Sequence, residues 1–148
     1  MTETSTPRRF LLQKIYLRDV SFESPAGPGI FKGKWQPELK INLASKARLV
    51  EGATHEVVLS LSVEAKQGEQ IAFLIELEQA GLFHIEGFNA EEQSRIIGVV
   101  CPDNLFPFAR EEVASLSIRG GFPQVLLQPI NFEQLYRQQM AQPTQGNA

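Results

Sequence analysis

Apolar residues recur at every second position through most of the first two-thirds of the chain, the signature of half-buried strands. In "LRDVSFE", Val20 and Phe22 point one way while Asp19, Ser21 and Glu23 point the other. "PELKINL" sets Leu39, Ile41 and Leu43 on one face, and "HEVVLSLSVEA" does the same with Val57, Leu59, Leu61 and Val63. After the short turn "KQGEQ", the run "IAFLIELEQ" turns Ile71, Phe73, Ile75 and Leu77 inward and Leu74, Glu76 and Glu78 outward. A turn this short joins antiparallel neighbours. The pattern predicts a one-sided antiparallel sheet.

The period then changes to that of a helix. Asn89 and Glu92 have capping-box spacing ahead of "EEQSRIIGVV". Ile96, Ile97, Val99 and Val100 spread round more than one stripe, which predicts burial on several sides, and Gly98 permits close approach. Pro102 is expected to push Cys101 out of helical geometry and bend or stop the helix. Asn104 then recaps it, with Pro107 in the first turn. Leu105, Phe108, Ala109 and Leu116 follow at helical spacing up to the stop at Gly120-Gly121. "FPQVLLQPI" is an extended apolar connector. Asn131 caps a last helix bearing Phe132, Leu135, Tyr136 and Met140.

Length and composition fit one domain spanning residues 1–148, with residues 1–8 and 138–148 expected as loose ends. Hydrophobic content of 43% and charged content of 21% are those of a globular chain. A net charge of −3 supplies no basic footprint for nucleic acid. "MTETSTPRRF" has no apolar core of a signal peptide, and no apolar run is long enough to span a bilayer. Cys101 is the only cysteine, so no internal disulfide and no multi-thiolate metal site can form, and a reducing cytosol is expected.

Chemistry-bearing motifs are missing: no GxGxxG, phosphate loop, HExxH, CxxC or GxSxG occurs. His55 and His84 are isolated, and Cys101 has no sequence-evident histidine to activate it. No catalytic residue, metal or cofactor is expected. Glu76 and Glu78 read as a solvated sheet face. Trp35, Phe122 and the "VLL" of residues 125–127 sit beside prolines in loop-like segments. They are either core anchors or an exposed apolar binding patch.

The stretches "IYLRDVSFE", "FKGKWQPELKINL", "FLIELEQAGLFHIEGF", "CPDNLFPFARE" and "RGGFPQVLLQPINFEQLY", in this order from Ile15 to Tyr136, resemble the SecB family of protein-export chaperones. The resemblance implies an α+β fold: a four-stranded antiparallel sheet with helices packed on one face, assembled as a homotetramer, a dimer of dimers. It also implies a cytoplasmic, ATP-independent holdase. Such a protein binds unfolded precursor proteins and delivers them to the translocation ATPase SecA, with no membrane insertion of its own. The zinc belongs to SecA's basic tail.

Residue by residue, the resemblance assigns Asp19, Glu23, Leu74 and Glu76 to SecA docking. It assigns Trp35, Phe122, Val125, Leu126, Leu127, Phe132 and Tyr136 to a client groove. Ile75, Leu77 and Gln79 match the contact between dimers, and the apolar helix itself adds Ile97 to that expected interface. The chain departs from the family in two places. Its tail after Arg137 carries no charge, which puts a secondary SecA contact in doubt, and Gly121 replaces the usual threonine, which is expected to loosen the connector. The rival readings are a SecB-like chaperone dedicated to a toxin–antitoxin pair and a hot-dog thioesterase or small-ligand protein. A thioesterase needs a carboxylate or histidine on the buried helix, where this chain has Ile96, Ile97, Val99 and Val100.

Overall fold

The alternating stretches become four long strands in the computed structural model, which describes residues 7–141. They are β1 (Arg9–Glu23), β2 (Glu38–Glu51), β3 (Thr54–Gln67) and β4 (Gln70–Glu86). The sheet is antiparallel throughout, in the order β1-β4-β3-β2. Helix α1 (Ala90–Arg95) passes through a wide turn at Ile96–Val100 into α2 (Cys101–Arg119), and α3 (Phe132–Ala141) ends the described chain. The one-sided antiparallel sheet expected from the alternation, and the α+β fold that the resemblance implies, are the ones observed.

One face of the sheet carries the helices. Val57, Leu59, Val63, Phe73, Ile75 and Phe83 project from the central strands and are wholly buried with Leu105, Ala109 and Val113 of α2. The expected inward pattern holds along β3 and β4 except at Ile71, which is exposed. The β3–β4 pairing shifts between Ala65 and Lys66, and Ile71 falls past that shift, opposite Lys66 beside the turn. The edge strands fare differently. Val20 of β1 and Leu39 and Ile41 of β2 point to the helix side yet are exposed.

Two helix expectations need correction. The capping box forms, with Glu92 N–H donating to Asn89 Oδ1 at 2.8 Å and Asn89 N–H donating to Glu92 Oε1 at 3.1 Å. Pro102 does not stop the helix, however, and Cys101 has helical backbone angles of −65° and −50°. The turn before it is of π type, with Cys101 N–H donating to the Ile96 carbonyl. Such a turn holds one more residue than an α turn, and Pro102 enters the next turn where its missing N–H is tolerated. Pro107 lies inside α2, and the residue four positions before it, Asp103, is on the exposed side of the helix. Asn104 is no cap; its Nδ2 donates to the Val100 carbonyl at 2.8 Å.

The helix stop at Gly120-Gly121 is a Schellman motif. Phe122 N–H donates to the Ser117 carbonyl at 3.0 Å and Gly121 N–H to that of Ile118 at 2.9 Å. Gly121 has φ +95°, and a Cβ there would stand 3.1 Å from the Phe31 ring. The glycine therefore fits a left-handed position that strains other residues, and it ends the helix there. Gly98 permits the close approach expected of it, since a Cβ at that position would lie 2.7 Å from Tyr136 Cδ1. Parts of the expected loose ends are ordered. Arg8 pairs with Glu92 at 2.7 Å, and α3 continues to Ala141, while residues 1–6 and 142–148 lie outside the described residues.

The connector alternates. Phe122, Val125 and Leu127 are buried, whereas Pro123, Gln124, Leu126 and Gln128 face solvent. Ser117, fully buried on α2, pins it: its Oγ accepts from Val125 N–H at 3.0 Å and donates to the Ala114 carbonyl at 2.9 Å. The side chains of Leu126 and Leu127 are thus 63% and 5% exposed and should respond differently to truncation. Leu127→Ala is expected to cost about 2–5 kcal/mol of folding free energy. Leu126→Ser should stay within roughly 0.5 kcal/mol of wild type. Urea unfolding of the two variants checks this, and equal losses would contradict the alternation.

Candidate open-face and groove sites

Among the described residues no helix covers the second face of the sheet, and strand parity decides what it displays. Asp19, Ser21 and Glu23 of β1 stand opposite Glu78, Glu76 and Leu74 of β4. Ser60, Ser62 and Glu64 of β3 continue the same rows. Parity sets Asp19 with Glu23 and Leu74 with Glu76, and the β1–β4 register brings the two pairs onto one surface, where Glu78 and Glu64 join them. A shallow depression of about 340 Å³ lies among Asp19, Glu76, Glu78, Asn42, Ser60 and Ser62. Asp19 and Glu78 are a like-charge pair directly opposite one another, an arrangement that costs stability unless a cation is near. Arg18 Nε supplies partial relief at 3.7 Å from Glu78 Oε1.

Arg18 reaches this face because β1 bulges. The β1–β4 register shifts between Leu17 and Asp19, and again between Leu12 and Lys14. A bulge breaks the alternation and re-aims a side chain. Arg18 and its neighbour Asp19 consequently serve the same surface. Strict alternation hides this.

Beyond the bulge lies a buried polar cluster. Glu56 is almost wholly inaccessible and accepts from the Tyr16 hydroxyl, from Arg48 Nε at 2.9 Å and from Arg18 Nη1 at 3.4 Å. The Tyr16 hydrogen bond, then Arg48 and Arg18, hold its carboxyl below the ordinary value despite burial. Burial and the same Glu56 hydrogen bond push the Tyr16 phenol up to about 12. Tyr16 also accepts on its backbone carbonyl from Gln79 Nε2 at 3.1 Å.

The groove candidates fall in two places. Trp35 packs on Phe122 and Phe73, with ring centroids 5.2 and 6.4 Å apart, and Phe31 lies 5.1 Å from Phe122. Of these, Phe31 is exposed and Trp35 half-buried, while Phe73 and Phe122 are buried. Phe132 and Tyr136 instead line a cleft of about 80 Å³ between α3 and β2, with Leu43 and Leu135. Tyr136 is held there by a 2.9 Å hydrogen bond to Ser94. Phe122, Val125, Leu127 and Phe132, read as apolar residues available to a binding patch, are already buried within the chain. The extended connector turns alternate side chains inward.

Exposed apolar residues that sequence reasoning missed include Phe31, Leu49 and Ile118. Phe31 could have been found from "SPAGPGIFKGKW", where glycines and prolines fix a turn that lifts an aromatic off the sheet. Ile75, Leu77 and Gln79 are buried beneath the helix layer, and only Ile97 of the four contact candidates is half-exposed. Cys101 is fully buried and its thiol is pushed up to about 12 by that burial, so it offers no thiolate.

The family model described as preprotein translocase subunit SecB matches residues 3–143. A protein-export protein SecB from Halorhodospira halophila is 43% identical over 146 residues, covering 99% of this chain and 84% of the relative. One from Nitrosococcus oceani is 46% identical over 149 residues, covering 99% and 91%. Among solved structures, a Mycobacterium tuberculosis SecB-like chaperone in complex with an antitoxin peptide matches with a TM-score of 0.63 and 20% identity. That match covers 82% of this chain and 91% of the other, and it bears on the fold alone.

Glu56 gives this surface a pH dependence. Its folded-state carboxyl lies below the ordinary 4.5, so its stabilisation is complete above about that pH and is lost as pH falls through the folded value. Glu56→Gln is expected to lose about 1–3 kcal/mol at neutral pH by weakening the hydrogen bonds to Tyr16 and Arg48. The gap to wild type should narrow as pH drops toward 3. Denaturant melts across that range check it, and a gap independent of pH would contradict the assignment.

Proposed function

The chain belongs to the SecB family, and from that premise we propose that it is a protein-export chaperone that holds unfolded precursors and hands them to SecA. The observation that carries this reading is the family match over nearly the whole chain. The carboxylate field of the open face and the apolar helix side are the geometry that fits it best. It acts by binding and not by catalysis, in the cytoplasm. No helix among the described residues is long and apolar enough to cross a membrane. The relatives named for protein export are far more similar in sequence than the antitoxin-binding structure, which favours general export over a dedicated partner.

Clients bind on the helix side. Phe31, Trp35 and Leu126 offer the accessible apolar surface, and Tyr136 offers a second contact beside α3. Phe122, Val125, Leu127 and Phe132 support these from beneath. Ordering one client residue costs about 1–2 kcal/mol of backbone entropy. Burial returns roughly 25 cal/mol per Å², so each fixed residue needs about 40–80 Å² to break even. A client left mobile between scattered contacts avoids much of that cost, and repetition of the groove in a tetramer adds avidity.

The tetramer is a dimer of dimers. Ile97 makes the direct contact, and Ile75, Leu77 and Gln79 act by seating the helix layer that presents it. Ile97→Glu is expected to halve the mass seen by light scattering, because an unpaired charge in such an interface costs several kcal/mol. An unchanged mass would remove Ile97 from the interface.

Asp19, Glu23 and Glu76, with Leu74 between them, dock the basic zinc-bearing tail of SecA. Along β1, Asp19 and Glu23 stand about 13 Å apart, which suits a spread basic segment better than a single ion. Asp19→Ala combined with Glu76→Lys should weaken SecA-tail binding by roughly tenfold or more, while assembly and client binding stay intact. Wild-type binding should itself fall as salt is added. Wild-type affinity in the double variant would contradict the acidic docking surface.

A further inference from the structure

The open face is not acidic throughout. Beyond the Asp19–Glu78 row, β2 contributes Lys46 and Arg48, which pair with Val58 and Glu56 of β3. Together with Arg18 they line a cleft of about 200 Å³, floored by Val58 and Ala47. Three cations (Arg18, Lys46, Arg48) meet one carboxylate (Glu56) there, which leaves a charge of +2. Arg18 and Arg48 pair with Glu56, but their side chains remain 44% and 66% exposed. Each guanidinium has five N–H donors, so most are still free to meet an incoming acceptor. Lys46 is exposed and enters no salt bridge among the described residues.

We propose that this cleft binds a carboxylate-bearing segment of the docking partner, so that the open face recognises a chain of mixed charge. Basic residues lie over Asp19, Glu76 and Glu78, and acidic residues lie over Arg18, Lys46 and Arg48. This rests on the docking reading above and adds a second, oppositely charged half to it. Lys46 stands four residues along the strand and two strands across from the Glu76 row. That separation is roughly 16 Å, about five residues of extended peptide. A single short segment can therefore reach both halves.

A polyanion fits less well. A phosphate backbone that ran across the face from this cleft would meet Asp19, Glu76 and Glu78. The overall charge of −3 also opposes a nucleic acid. The bulge at Arg18 supports two coupled halves, since one guanidinium lies within ion-pair distance of both Glu78 in the acidic half and Glu56 in the basic half.

The test uses the full-length protein and three fluorescent peptides, read by anisotropy at low salt. One carries lysines only, one carries glutamates only, and one carries lysines followed five residues later by two glutamates. The mixed peptide is expected to bind about fivefold tighter than the lysine peptide. Lys46→Glu, which removes none of the hydrogen bonds around Glu56, should erase that preference and leave lysine-peptide binding no weaker. Equal affinities for the two peptides on wild type, or a preference that survives Lys46→Glu, would overturn the proposal. If the lysine peptide fails to bind but the glutamate peptide binds and is lost in Lys46→Glu, the docking reading falls and the anionic cleft stands. Displacement of the glutamate peptide by single-stranded DNA at equal or lower concentration would show a general polyanion site and overturn the assignment.

Discussion

The long helix α2 is much smaller than the sheet it packs against. The strands run 14 to 17 residues, which corresponds to roughly 46–56 Å, and four of them side by side are wider than one helix. With 19 residues, α2 is about 29 Å long and about 10–12 Å across. It lies over the two central strands, β3 and β4, and seals their inner face. The remaining features depend on the surface it leaves open. Val20, Leu39 and Ile41 stay exposed on the edge strands, the aromatic cluster of Phe31 and Trp35 has a free rim, and no described helix covers the opposite face.

The uncovered faces differ in chemistry because a strand sorts its residues by parity. The helix side keeps apolar residues even where no described element packs on them, and the proposed client surface uses these residues. The open side keeps carboxylates close together, including the opposed Asp19–Glu78 pair, at some cost in stability. The Tyr16–Glu56–Arg48 cluster separates this acidic field from the far end of the sheet and fixes where the sign of the surface changes. Because Gln79 donates to the Tyr16 carbonyl, a residue buried under the helices is also tied to the strand that carries this cluster.

Much of the fold was legible because alternation and capping are local signals. Val57 to Val63, Phe73 to Leu77, the Asn89 capping box and the Gly120-Gly121 stop all appear where the pattern puts them. Pro102 was misread because a proline stops an α turn, while the π turn ahead of it depends on packing that no local pattern records. The acidic face was legible by parity from Asp19, Glu23 and Glu76. The basic half was not, since Arg18 reaches that face only through a bulge, and Lys46 and Arg48 come close to it only through the β2–β3 register. For the same reason the connector read as uniformly available: no sequence signal shows that Ser117 holds Val125 and turns Leu126 out and Leu127 in.

The central claim is that one sheet separates two tasks, with client capture on the helix side and partner docking on the open face. The most direct measurement titrates a basic tail peptide onto the protein alone and onto the protein saturated with an unfolded precursor, with light scattering to identify the species. Two separate faces predict affinities within about twofold of each other and a ternary complex. Displacement of the precursor by the peptide, or a loss of peptide affinity of about tenfold on saturation, would contradict the account.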